Sequence, residues 1–201
     1  MKCTFKNLAS AFLLASSLAI VSCNSAGEDS EATGTDTTAS TESTSQASDQ
    51  NERAEATISS TYSDTSVTGT ATFEAVNGKV KMMLNITAPS RANKTLAVHI
   101  HEHPGCGDNG KEAHGHWNPT NANHGEWGSN AFHRGDIGNV QLDGEGKGTK
   151  ELETDLWSIG GDSTTNILNR SIIVHGGVDD YKTQPTGNAG NRLGCGIINK
   201  K

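Results

Sequence analysis

The chain has 201 residues, is rich in glycine (23) and is poor in aromatic residues (4%). Glycine weakens helix interiors, so this composition excludes an ordinary helical protein and suits short strands joined by many turns. A formal charge of −7 argues against nucleic-acid binding, which needs a basic face, and the length suits one domain plus accessory segments.

The chain opens on "MKCTFKNLASAFLLASSLAIVSC", which reads as an export signal: Lys2 and Lys6, then a largely apolar stretch over residues 8–21, too short to span a bilayer comfortably. Its end, Ile20-Val21-Ser22-Cys23, resembles a bacterial lipobox. That resemblance implies a lipoprotein signal peptide over residues 1–22, cleavage before Cys23 and lipid attachment there. The alternative is a plain secreted protein cut at nearby small residues. Several acyl chains would anchor the protein stably to a membrane of the bacterial cell envelope, on its periplasmic or outer face.

Residues 23–55 follow as the acylated cysteine and a tether. Residues 24–56 hold eight acidic groups against one basic group, Arg53, and almost no large apolar side chain. Such a segment buries too little surface to offset chain entropy. The remaining domain is nearly neutral, with fifteen acidic and thirteen basic groups over residues 57–201. Export also fixes the redox setting. Cys3 leaves with the signal and Cys23 carries lipid, so Cys106 and Cys195 meet an oxidising compartment, where a disulfide is expected.

From residue 56 the apolar pattern has period two, the strand signature. The predicted strands are 56–62, 66–74, 79–87, 95–101, 138–143, 148–155, 170–176 and 193–199. Asn77-Gly78 between the second and third is a strong hairpin signal. Eight short strands predict an antiparallel sandwich or barrel. The Gly/Asn/His-rich stretch 102–136 has no period, and connections of that length are usually functional.

All eight histidines lie between residues 99 and 175. On a strand His99 and His101 share a face, so both can grip one metal ion. Imidazole suits zinc, copper, iron and nickel. Three imidazoles with the carboxylate of Asp136 would suit tetrahedral zinc, leaving other histidines for a redox metal.

Five pieces, "HIHEH", "GHWNP" with His124 eight residues on, "HRGDIGN", "IVHGGVDD" and "GNAGNRLGCG", stand in an order and spacing that resembles the copper,zinc superoxide dismutases, of bacterial lipoprotein type. The resemblance implies an all-β, eight-stranded antiparallel Greek-key barrel over residues 56–201, with a metal loop and an electrostatic loop. It implies one copper per subunit on His99, His101, His116 and His175, and one zinc per subunit on His116, His124, His133 and Asp136. His116 would bridge the two. Asp179 would orient His99 and His124 from behind, and Arg192 would flank the open copper position. Cys106 and Cys195 would tie the metal loop to the barrel.

The implied activity is dismutation of superoxide to O2 and H2O2 outside the cytoplasm, and a homodimer is compatible with it. His103 and His114 match no ligand position and are expected as exposed loop residues, the alternative being that they help capture metal at the loop surface. The rival readings are a barrel that stores or delivers metal and a structural surface protein that kept the fold. The second should have lost ligands, and none is missing.

Overall fold

Strands form wherever small or apolar residues alternate with polar ones. The computed structural model describes residues 52–201; the expected signal peptide, Cys23 and almost all of the expected tether lie outside them. Among the described residues there are nine strands: β1 (Arg53–Ser60), β2 (Thr68–Val76), β3 (Lys79–Thr87), β4 (Thr95–His101), β5 (Gly138–Gln141), β6 (Lys147–Thr154), β7 (Ser171–His175), β8 (Arg192–Ile197) and β9 (Asn199–Lys200). The eight expected strands all form. The ninth is a two-residue pairing with β1, too short to leave a periodic signal. β1 starts at Arg53, ahead of the expected residue 56, because Arg53 pairs with Glu74 in register and as an ion pair. Ala54 and Ala56 are its inward positions, and small residues make a faint stripe.

Between β2 and β3, Asn77 (φ 51°) and Gly78 (φ 76°) adopt the left-handed conformations of a two-residue hairpin. The strand order is β5-β4-β7-β8-β1-β2-β3-β6, antiparallel at every step. The β3–β4 and β6–β7 connections cross from one end of this path towards the other, which is the Greek-key arrangement. The two ends nearly meet: a Cβ on Gly148 of β6 would lie 2.9 Å from Val140 of β5. The result is a nearly closed eight-strand barrel, with no α-helix among the described residues. Ile58, Phe73, Met82, Leu84, Leu96, Ile100 and Ile172 fill its interior, each contributing about 1.5–3 kcal/mol by leaving water.

One contrast within the barrel positions the site. β3 alternates buried and exposed along its length, whereas β4 and β7 are buried at nearly every position. Their inward residues, Val98, Ile100, Ile172 and Val174, belong to the core. By the strand period, His99, His101, Ile173 and His175 point outward. They are buried because residues 102–137 and 176–191, two of the long connections, fold back over that outer face.

Candidate metal centre

The aperiodic loop is held down by backbone hydrogen bonds to β4 rather than by a pattern of its own. Ile100 donates to the Gly135 carbonyl at 2.9 Å, Trp117 donates to the Ile100 carbonyl at 2.9 Å, and Gly135 donates to the Trp117 carbonyl at 3.0 Å. These bonds set His116 opposite His101, its antiparallel bridge partner. They also bring the His133–Asp136 turn over β4. Gly135 permits the approach, since a Cβ there would run into the Ile100 carbonyl oxygen.

Two groups of side chains result. In one, His99, His101, His116 and His175 each present a ligand atom, all within 4.8 Å of one another. In the other, His116, His124, His133 and Asp136 do the same. All seven residues are buried, and His116 belongs to both groups.

The hydrogen bonds decide which atoms are free to coordinate. His99 and His124 donate from Nε2 to the two oxygens of Asp179, at 2.8 and 2.9 Å, leaving the His99 Nδ1 with a lone pair and the His124 Nδ1 as the atom a metal can take in exchange for its proton. His133 donates from Nε2 to the Ala122 carbonyl at 3.1 Å, leaving Nδ1. His101 and His175 donate from Nδ1 to the carbonyls of His114 (2.8 Å) and Gly190 (3.3 Å). Their Nε2 atoms then face each other across 3.3 Å, two lone pairs with no proton between them.

Around Asp136, His116 Nδ1 lies at 2.8 Å, His124 Nδ1 at 3.0 Å and His133 Nδ1 at 3.3 Å. Donor atoms bound to one tetrahedral zinc at about 2.0–2.1 Å would be spaced by roughly this much. Six buried side-chain nitrogens or oxygens lack a hydrogen-bond partner among the described residues, and four of them are imidazole nitrogens of His99, His116, His124 and His133. Buried polar atoms are otherwise almost always satisfied. The donor set therefore fits two metal ions that share one imidazole.

Electrostatics agree with the geometry. Burial pushes His101 and His175 well below the usual imidazole value, lowers His99, and brings His116 down to about 4. These imidazoles stay neutral, as ligands must. His124 is also buried, but the Asp136 and Asp179 carboxylates outweigh that and raise it to about 9. Asp136 is desolvated, yet its histidine partners hold it ionised far below the carboxylate range, and Asp179 behaves alike.

Three supporting residues were not assigned from the sequence. Asn139 clamps Asp179 through its backbone, donating from Nδ2 to the Asp179 carbonyl and accepting from the Asp179 N–H, each at 2.9 Å. The Tyr181 hydroxyl accepts from the Asn139 N–H at 3.1 Å. Gln184 holds the His124 backbone in the same two-way manner, at 2.8 and 2.9 Å. Asn139 stands at the end of "HRGDIGN", so a signal existed; Tyr181 and Gln184 had none.

The expected staple is present. Cys106 and Cys195 are bonded with Cα atoms 5.7 Å apart, Cys195 lying opposite Ile173 on the outer face. One residue beyond, the β7–β8 register slips, so that Arg192 faces His175 while Leu193 turns into the core. Bulges of this kind re-aim side chains beside active sites. The Arg192 guanidinium donates to the carbonyls of Gly110 (2.6 Å) and His114 (2.5 Å), which fixes its charge beside His101 and His175. His103 and His114 are exposed and belong to neither ligand group.

Comparison with known proteins gives a single answer. The profile of the family described as copper/zinc superoxide dismutase matches residues 67–198. The copper-zinc superoxide dismutase of Humicola lutea is 36% identical over 144 residues, spanning 67% of this chain and 92% of its own length. That of Yarrowia lipolytica is 37% identical over 144 residues, with 67% and 91% covered. A crystal structure of the clock protein EA4 superposes with a TM-score of 0.64 at 31% identity, covering 75% of this chain and 95% of its own. Strand order, paired ligand groups and extended identity converge, and the chain belongs to the copper/zinc superoxide dismutase family.

Proposed function

We propose that this chain is an exported, lipid-anchored superoxide dismutase in which His99, His101, His116 and His175 hold copper, His116, His124, His133 and Asp136 hold zinc, and His116 serves both. The observation that carries the assignment is the set of buried imidazole nitrogens, unpartnered and convergent. An unsatisfied buried polar atom is worth about 1–3 kcal/mol of lost stability, and a bound cation removes that penalty.

Copper held there would supply a one-electron redox couple for dismutation, in which two superoxide ions and two protons give O2 and H2O2, whereas zinc is redox-inert. The chain's own residues prepare the place. Asp179 fixes the tautomers of His99 and His124 and raises their basicity as ligands. The His114 and Gly190 carbonyls do the same for His101 and His175. Asp136 brings a full negative charge among three histidines. Arg192, locked by two carbonyls, offers a fixed positive charge that attracts and orients a small anion.

The location outside the cytoplasm, with residues 1–22 as signal and Cys23 as lipid site, is supported by the lipobox-like sequence. It is also supported by the Cys106–Cys195 disulfide, a bond that persists in oxidising compartments. The test is direct observation of superoxide disappearance with the full chain loaded with copper and zinc, against the same chain holding zinc alone. Fast copper-dependent loss is expected. No loss with both metals shown to be bound would overturn the enzyme in favour of a metal-holding barrel.

A further inference from the structure

His103 and His114 stand outside both ligand groups, and the backbone brings them together. Each sits two residues from a residue of the four-imidazole group, His103 from His101 and His114 from His116. His101 and His116 are antiparallel bridge partners. Pairing continues outward, with Glu102 donating to the Gly115 carbonyl at 3.0 Å and His103 donating to the Ala113 carbonyl at 3.2 Å. His114 bends the chain there, with φ 60° and ψ −143°. The two rings end 4.3 Å apart between centroids, their planes inclined by 47°.

That separation is informative. Ring pairs within the two buried ligand groups lie between 4.0 and 6.5 Å apart. The exposed pair falls inside the range spanned by imidazoles that converge on one point. Among the described residues, no protein group engages a ring nitrogen of either histidine. Both side chains are exposed, so water can complete a coordination shell. Two imidazoles plus water suit cupric ion, which prefers nitrogen donors, accepts tetragonal geometry and heads the order of divalent affinities.

We propose that His103 and His114 form a third metal site, open to solvent, that takes one cupric ion at the rim of the buried centre. The site rests on the geometry of this pair alone and needs no assignment of the buried ligands. It is nonetheless joined to them, because the His114 carbonyl accepts from both His101 Nδ1 and the Arg192 guanidinium.

The test uses the full chain with copper and zinc already in the buried centre, titrated with cupric sulfate under equilibrium dialysis and followed by electron paramagnetic resonance. The expected result is one further copper per chain, with a second cupric signal showing nitrogen hyperfine coupling. His103→Gln should remove that increment while the buried copper and zinc stay at the unsubstituted level, and His114→Asn, at the residue whose carbonyl supports His101, should remove the increment too. Asparagine is chosen because it is among the non-glycine residues that adopt positive φ most readily. Extra copper that binds equally in both variants, or no extra copper in the unsubstituted chain, would overturn the site.

Discussion

The Asp179 carboxylate links the two ligand groups from behind. Asp179 accepts from His99 at one oxygen and from His124 at the other, and its Oδ1 also takes the Tyr181 N–H at 2.8 Å. Replacing it with leucine leaves both imidazoles free to turn or to change tautomer. The expected outcome for Asp179→Leu is a loss of roughly 10–100-fold in affinity for copper and zinc alike, measured by competition against a chelator. An effect confined to one metal would contradict the shared support. Asp179 was legible because it stands in "IVHGGVDD". Its own clamp, Asn139, was not assigned, and Gln184 behind His124 left no trace at all. Reciprocal amide-to-backbone bonds join residues far apart in sequence, so they create no local pattern to read.

At the scale of elements, the barrel was legible and the loops were not. Strands such as β3 announce themselves because their two faces meet different surroundings, and Asn77-Gly78 marks a turn that few other pairs make. The loop over residues 102–137 owes its order to bonds with β4, so no period reports it. What its sequence does carry is a steric demand. Gly135 lies between two zinc-site residues where only a bare Cα fits against the Ile100 carbonyl. Gly135→Ala must push the His133–Asp136 turn away from β4 or break the Ile100–Gly135 hydrogen bond. The expected outcome is weaker zinc binding with a destabilisation of roughly 1–3 kcal/mol, read from the denaturant midpoint of the metal-free and zinc-bound chain. A midpoint and zinc affinity equal to the unsubstituted chain's would remove this account of the glycine.

At the scale of the whole molecule, the metal-free protein holds buried histidines shifted in opposite directions, which gives its stability a maximum. His99, His101, His116 and His175 are held below the ordinary value of 6.5. As pH falls through 6.5 the unfolded chain takes up protons that the folded chain refuses, so stability declines towards pH 4. His124 is shifted the other way, to about 9. Its contribution is complete below pH 6.5 and is lost as pH rises through 9. The melting temperature of the metal-free chain should therefore peak near pH 6.5. Zinc replaces the His124 proton, so the alkaline decline should vanish in the zinc-bound form. A metal-free melting curve that is flat from pH 4 to pH 9 would contradict this balance.

One imidazole joins the two ligand groups. His116 is placed by the loop's pairing with β4, leaves Nε2 unpartnered towards the copper group and sets Nδ1 2.8 Å from Asp136 in the zinc group. The most direct measurement is the equilibrium content of both metals in His116→Ala, dialysed against limiting copper and zinc alongside the unsubstituted chain. A shared bridge predicts that both metals are lost or weakened together. Retention of either one at the unsubstituted affinity would contradict it.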